Sequence, residues 1–253
     1  MPDSPLARLV VSRRGLLVGG ASLVASPLLA QATEGGESGE GAASAGLEDD
    51  VAFLVELGLF DGAHRMIGAM VAQGAAEAAA EQLESSHHAH YDDLEGAFDA
   101  RGITPFEDAV TAFAAAVMAR ADAAEVATRL DAVLAPIAAI RATGTPAQRA
   151  HADEVLVRTA ASEFEGGVDT DGTMLSDHEY RDGWGFLESA RADLTALSES
   201  TDPAVTDAAT RALAALEPVS TQFGSLMAES VPGADVSVIL GAAARIEIAR
   251  LRL

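Results

Sequence analysis

An all-α fold, arranged as an antiparallel helical bundle, is predicted by three features of this sequence. Alanine dominates the 253-residue chain, and alanine loses least on entering a helix. Aromatic residues make up only 4% of the chain and there are nine prolines, so the long runs of Val, Ile and aromatics that strands need are missing. Apolar positions recur at helical spacing over segments bounded by Gly and Pro. The length suits one helical domain with a real core, or two tandem bundles of similar plan.

Thirty-nine Asp and Glu stand against sixteen basic residues, all of them Arg, for a formal charge of −23. Such a field repels nucleic acid and anionic lipid headgroups and attracts cations. Nucleic acid is therefore excluded as a partner. Self-repulsion at this density calls for salt or divalent cations to screen it, a pattern that resembles proteins of extreme halophiles. The chain has no cysteine, which removes disulfides, thiolate metal sites and cysteine nucleophiles. Any metal must be held by His, Asp, Glu or Tyr, ligands that suit iron, manganese, zinc or calcium.

In chain order, residues 1–32 read as an export signal. Ser12-Arg13-Arg14 precedes an apolar run from Gly15 to Ala30, and Ala30-Gln31-Ala32 is a small-x-small cleavage site. The paired arginines before a weakly hydrophobic segment resemble a twin-arginine signal, which predicts an extracellular, cell-surface or periplasmic location. A run of about sixteen residues holding Pro27 is short for a membrane span, so no stable span is expected after cleavage. Residues 33–46, rich in Gly, Ser, Glu and Ala, read as a flexible acidic linker. The helical domain is expected over 47–253, with candidate halves 47–143 and 146–253.

The first predicted helix, Glu48 to Gln73, is apolar almost all round, and Glu56 is the one acid inside its most apolar run. A carboxylate buried there would need a cation or an ion pair; the alternative is a carboxylate that simply reaches the surface. A second helix is predicted from about Ala75 to Ala100, stopped by Gly102. Helices follow over Pro105–Arg120, Ala123–Ala142 with Pro136 inside, Pro146–Glu165 and Ser176–Leu197, the last opened by a Ser-Asp cap. The remainder fits Pro203–Val231 in one or two pieces and then Ala234–Leu253. Tyr91-x-Asp93-x-x-Gly96 recurs as Tyr180-x-Asp182-x-x-Gly185, the trace of a candidate duplication.

The second predicted helix holds the strongest metal-ligand candidates. Three of the six histidines fall between Glu84 and Phe98. At 100° per residue, Glu84, His88, Tyr91 and Glu95 form one stripe, and His87 lies on the apolar side. Glu84-x-x-His87 also has the spacing by which bundles aim a carboxylate and an imidazole at a buried metal. The alternative for each residue is ordinary core or surface. The acidic turn Asp169-Thr170-Asp171-Gly172 lacks the remaining ligands of a calcium loop.

At Ser162-Glu-Phe-Glu-Gly-Gly-Val-Asp-Thr-Asp-Gly172, followed by His178-Glu-Tyr-Arg-Asp-Gly-Trp-Gly-Phe186, the chain resembles the extracytoplasmic helical domains found with high-affinity ferric iron permeases. The segment from His88 through Tyr91 and Glu95 toward Ile140 resembles their companion segment. The resemblance implies a helical domain outside the membrane that takes part in handling iron, with a membrane iron permease or another cell-surface protein as partner. Glu56 and Glu84-x-x-His87 also resemble part of a ferritin-like di-iron site; the nearest counterpart to its second half is Glu179-x-x-Asp182.

The leading functional reading is thus an exported accessory that binds or hands on iron, or another divalent metal, through Glu56, Glu84, His87, His88, Tyr91 and Glu95, with His178 and Glu179. A ferritin-like, metal-dependent oxidase on the same residues ranks behind it, because no spacing demands the three or four firm ligands of a redox centre. No Ser-His-Asp order, phosphate loop or His-Glu-x-x-His helix is present. The remaining alternative is a helical cell-surface module that binds another protein without metal.

Overall fold

The computed structural model describes residues 46–253. The expected export signal, and all but the last residue of the expected linker, lie outside the described residues. Among these there are nine α-helices: α1 Asp49–Ala72, α2 Ala76–Ser85, α3 Asp92–Arg101, α4 Glu107–Met118, α5 Ala123–Arg141, α6 Pro146–Gly167, α7 Asp177–Ser198, α8 Pro203–Leu216 and α9 Val236–Arg250. Two 3-10 turns, His87–Ala89 and Glu217–Thr221, interrupt them. The only extended pairing among the described residues is two isolated bridges, Val168 with Met174 and Thr173 with Ser230. The chain is all-α, as its composition predicts.

Local chemistry sets most boundaries. Asp122, Ser176, Asp202 and Asp235 each accept a hydrogen bond from a backbone N–H of the first turn they precede. Thr145 and Gln148 bond reciprocally across a capping box, with Pro146 as the first helical residue. Gly102 ends α3 in the left-handed region at φ 63°, where a side chain would be strained.

The expected helix from Ala75 to Ala100 is a correction. It stops at Ser85, because Ser86 is extended (φ −78°, ψ 120°) and the chain re-enters a helix only after Tyr91. The Ser-Ser-His-His run has low helix propensity, and the Ser85 hydroxyl donates back to the carbonyls of Glu81 and Gln82, a bond that weakens a helix only slightly and that Thr159 also makes to Val155 inside the continuing α6.

Helix α1 organises the described fold because it serves two cores with two faces. Val51, Leu54, Val55 and Leu59 pack with α6, α7, α8 and α9 around Leu156, Phe164, Tyr180, Phe186 and Ile246. Phe53, Leu57, Phe60 and Ile67 face the other way, into a core built with α2 to α5 around Phe98, Phe113, Val133 and Ile137. Trp184 of α7 touches both. Between these faces the first turns of α1 leave a solvent strip, and Asp49 and Glu56 lie exposed on it. Glu56 is therefore not a buried lone carboxylate, and needs no cation to be tolerated.

The two cores close on each other where α1 crosses α7 at Gly62 and Gly185. A Cβ on Gly185 would sit 2.5 Å from the Gly62 carbonyl oxygen, and one on Gly62 would sit 2.8 Å from the Gly185 carbonyl. Backbone lies against backbone here, and only glycine leaves room. The recurring Tyr-x-Asp-x-x-Gly pattern is used unequally: Gly96, at the position matching Gly185, has no heavy atom within 4 Å of its would-be Cβ.

Candidate functional site

The expected ligands do not share one helical stripe. Glu84 ends α2, His87 and His88 lie in the 3-10 turn, Tyr91 follows it and Glu95 belongs to α3. Glu84, His87 and Glu95 are exposed, and His88 is half-buried with its ring edge-on to Phe186 at 5.3 Å. Tyr91 is a strut. Its hydroxyl accepts the Phe106 N–H at 3.2 Å, and its ring packs on Phe98 and Phe106. Tyr180 does the same work in the other core, accepting the Gly224 N–H at 2.9 Å and packing on Phe164 and Phe223. The tyrosines are thus the part of the recurring pattern whose role is shared.

His178 and Glu179 open α7. The Glu179 carboxylate lies over Gly166 at the end of α6, and its N–H donates to the Ser176 cap. His178 joins the two halves of the chain. Its Nδ1 is 2.6 Å from Gln82 Nε2 on α2, and its Nε2 is 3.2 Å from an Asp182 carboxylate oxygen. Gln82 Nε2 also donates to Asp182 at 3.3 Å, while Gln82 Oε1 accepts from Arg181. One assignment satisfies every contact: His178 is neutral with its proton on Nε2, donates it to Asp182, and accepts from the Gln82 amide. Arg181 completes the junction by donating to the Leu226 carbonyl and pairing with Asp177 at 2.6 Å. Buried polar groups packed this fully fix one register between helices.

A second buried network was not legible as a site. Arg141, at the end of α5, reaches Asp153 of α6 at 2.5 Å, Asp193 of α7 at 3.3 Å and the Ser189 hydroxyl at 3.1 Å. Arg149 grips Asp193 with two hydrogen bonds. Burial, then the neighbouring Asp193 charge, pushes the Asp153 carboxyl well above the usual range. Burial pushes Asp193 upward too, but Arg141 and Arg149 outweigh it and hold Asp193 below the usual range. The Arg141 guanidinium opposes its own burial with Asp193, Asp153 and Asp61, and is held above its ordinary value. The only sequence signal for this network was the interruption of apolar helix faces by Asp153 and Asp193.

His64 is the third buried polar group of note. It is fully buried on α1, its Nδ1 lies 2.8 Å from the Phe60 carbonyl, and its ring packs on Phe60 and Phe113. Burial pushes its pKa down to about 4 against the Phe60 hydrogen bond, so it is neutral at ordinary pH and Nδ1 carries the proton. Its Nε2 has no hydrogen-bond partner.

Among the described residues, no group of three or more His, Asp or Glu side chains converges to hold a metal ion. None of their helices is long and apolar enough to cross a membrane. The arrangement presents exposed carboxylates and imidazoles on the surface of a helical frame whose buried polar groups are mostly hydrogen-bonded.

No curated protein and no solved structure gives a significant match to the chain. Residues 141–243 match the family model of the iron permease-associated 4-helix bundle domain. The match starts at Arg141, covers α6, α7 and α8 and enters α9. It is over this segment, which contains the acidic turn, His178, Glu179 and Tyr180, that the chain is similar to the iron permease-associated 4-helix bundle domain.

Proposed function

We propose that this protein is an exported accessory of an iron-uptake system, one that takes up ferric iron in passing and hands it to a permease. The observation that carries this reading is the match of the α6–α9 bundle to the iron permease-associated domain. The charge of −23 supports it by raising the local concentration of cations. The proposed contact lies around the α2–α7 junction, where Glu84 lies in the last turn of α2, His87 in the turn after it, and His178 and Glu179 in the first turn of α7. Ligands offered singly or in pairs bind weakly and release fast, which suits transfer. The acceptor then completes the coordination sphere. Export by the twin-arginine route would place the folded chain on the outer side, beside a membrane permease.

The test is an iron-binding isotherm of the full chain, with ferric iron supplied as a weak chelate in high salt, beside Glu84→Ala/His87→Ala and His178→Ala variants. Weak binding that drops in these variants, and not in a control such as Glu199→Ala, is the expected result. Equal binding by all four proteins would sink the assignment. A metal-free, protein-binding role is the second reading. It is favoured by the engagement of both His178 nitrogens within the fold, and a melting curve unmoved by iron would support it.

A further inference from the structure

The outward face of α9 carries an apolar stripe that nothing in the described fold covers. Leu240, Ile248 and Leu251 are 44%, 61% and 73% exposed, and Ala244 between them is exposed too. Their spacing of four, four and three residues puts them on one side of the helix. Exposed apolar surface in register like this is the usual mark of an interaction site. The charge around it is unusual for this chain. Residues 236–253 hold three arginines, Arg245, Arg250 and Arg252, against a single acid, Glu247. Arg245 and Arg252 edge the stripe on one side and Glu247, held by Arg158 at 2.8 Å, on the other, while Arg250 is turned to Glu154 at 2.7 Å; one edge of the apolar stripe is thus basic in a protein whose formal charge is −23.

The same chain carries a groove of the opposite character. Leu83 of α2 and Val110, Ala114 and Met118 of α4 form an apolar floor, in a hollow of about 340 Å³. Glu84, Asp92 and Glu107 stand on its rim, all exposed. The hollow has room for roughly two or three aliphatic side chains at interior packing density. An apolar floor with an acidic rim selects an amphipathic helix with basic borders. Within one chain the two surfaces do not meet: α9 packs on α6 and α8, whereas the groove belongs to α2, α4 and the turn between α2 and α3.

The geometry points to a head-to-tail contact between copies of this chain, in which the α9 stripe of one copy seats in the α2–α4 groove of the next. Ile248 and Leu251 enter the apolar floor, and Arg245 and Arg252 meet the acidic rim. Because stripe and groove are different surfaces, the contact is heterologous and each bound copy leaves one of each free. Association therefore continues beyond a dimer unless the rotation closes a ring. The net charge opposes it at low salt and is screened at high salt.

Sedimentation velocity of the full chain in high salt, over a concentration series, tests this. The wild type should show a sedimentation coefficient that rises with concentration past the dimer, or a closed ring. Ile248→Asp destroys the stripe and Met118→Arg fills the groove, and both positions are exposed enough for the fold to tolerate them. Each variant alone should associate at least about tenfold more weakly, the usual loss when a central anchor is removed. Mixed together, the two should form a heterodimer and stop there, since the mixture supplies one intact stripe and one intact groove. A wild type that stays monomeric would overturn the proposal. So would self-association by Met118→Arg alone, which would mean that stripe pairs with stripe, or a mixture of variants that remains monomeric.

Discussion

Replacing Gly185 with alanine and replacing Gly96 with alanine should change stability in opposite directions, although both are helical glycines at matched positions of the repeated motif. A Cβ at Gly185 would meet the Gly62 carbonyl oxygen at 2.5 Å and the carbonyl carbon at 2.9 Å. Relief to an ordinary contact near 3.4 Å requires α1 and α7 to separate locally by about 0.9 Å at the oxygen. Neither obstacle is the end of a flexible side chain, so the helices themselves must move. That loosens both cores at once, because α1 serves both. Overpacking of this kind costs about 3 kcal/mol, and removing a helical glycine returns about 1 kcal/mol, leaving a net loss of about 2 kcal/mol. At Gly96 nothing lies within 4 Å, so only the propensity term acts and alanine should stabilise by roughly 0.5–1 kcal/mol. Urea titrations followed by far-ultraviolet circular dichroism at fixed high salt would read both values from the midpoints. A Gly185→Ala protein as stable as the wild type would show that the crossing is not tight. A Gly96→Ala protein that loses stability would refute the claim that α3 lies open there.

Two further predictions concern pH. His64 has its pKa pushed down from 6.5 to about 4 by burial. The unfolded chain thus binds the proton more readily, and stability present above pH 6.5 falls as pH drops toward about 4, by about 3 kcal/mol in all. His64→Phe, a ring of similar size among Phe60 and Phe113, should flatten that slope in urea titrations taken across the window; an unchanged slope would discount the buried imidazole. Asp153 has the opposite sign. Its carboxyl is raised by burial and by Asp193, so its contribution is present below the unfolded carboxylate range and is lost as pH rises through the folded value. Asp193 is held low and its contribution is lost on acidification. Asp153→Asn keeps an acceptor for Arg141 and supplies a donor toward Asp193. It should match or exceed the wild type at neutral pH by about 1–2 kcal/mol, and a large loss there would mean that the charged Asp153–Arg141 pair is what the fold needs.

How far the site could be read from the sequence differs from residue to residue. Glu56 could be a buried acid or one that reaches the surface, because its neighbours are apolar on nearly all sides. A one-dimensional pattern cannot say that those neighbours divide between two cores and leave a strip of solvent between them. The stripe of Glu84, His88, Tyr91 and Glu95 assumed a continuous helix, and the extended backbone at Ser86 ends that helix at Ser85. Tyr91 and Tyr180 were legible as a repeated pair, but their roles as struts to Phe106 and Gly224 needed the loops that fold onto them.

Composition, periodicity and turn chemistry were enough by themselves for the all-α class and for most helix boundaries, and short motifs between Ser162 and Phe186 carried the resemblance to iron permease-associated domains. These depend on local propensity and on short motifs, which act over a few residues. Tertiary structure alone decided that Gln82 and His178, ninety-six residues apart, share a hydrogen bond, that Arg141 lies between two aspartates from different helices, and that Gly62 and Gly185 bring α1 and α7 into backbone contact. Each of these is a long-range pairing made by helix crossing. The face a side chain presents, and hence whether it is ligand, strut or solvent, is settled only when its helix finds a neighbour.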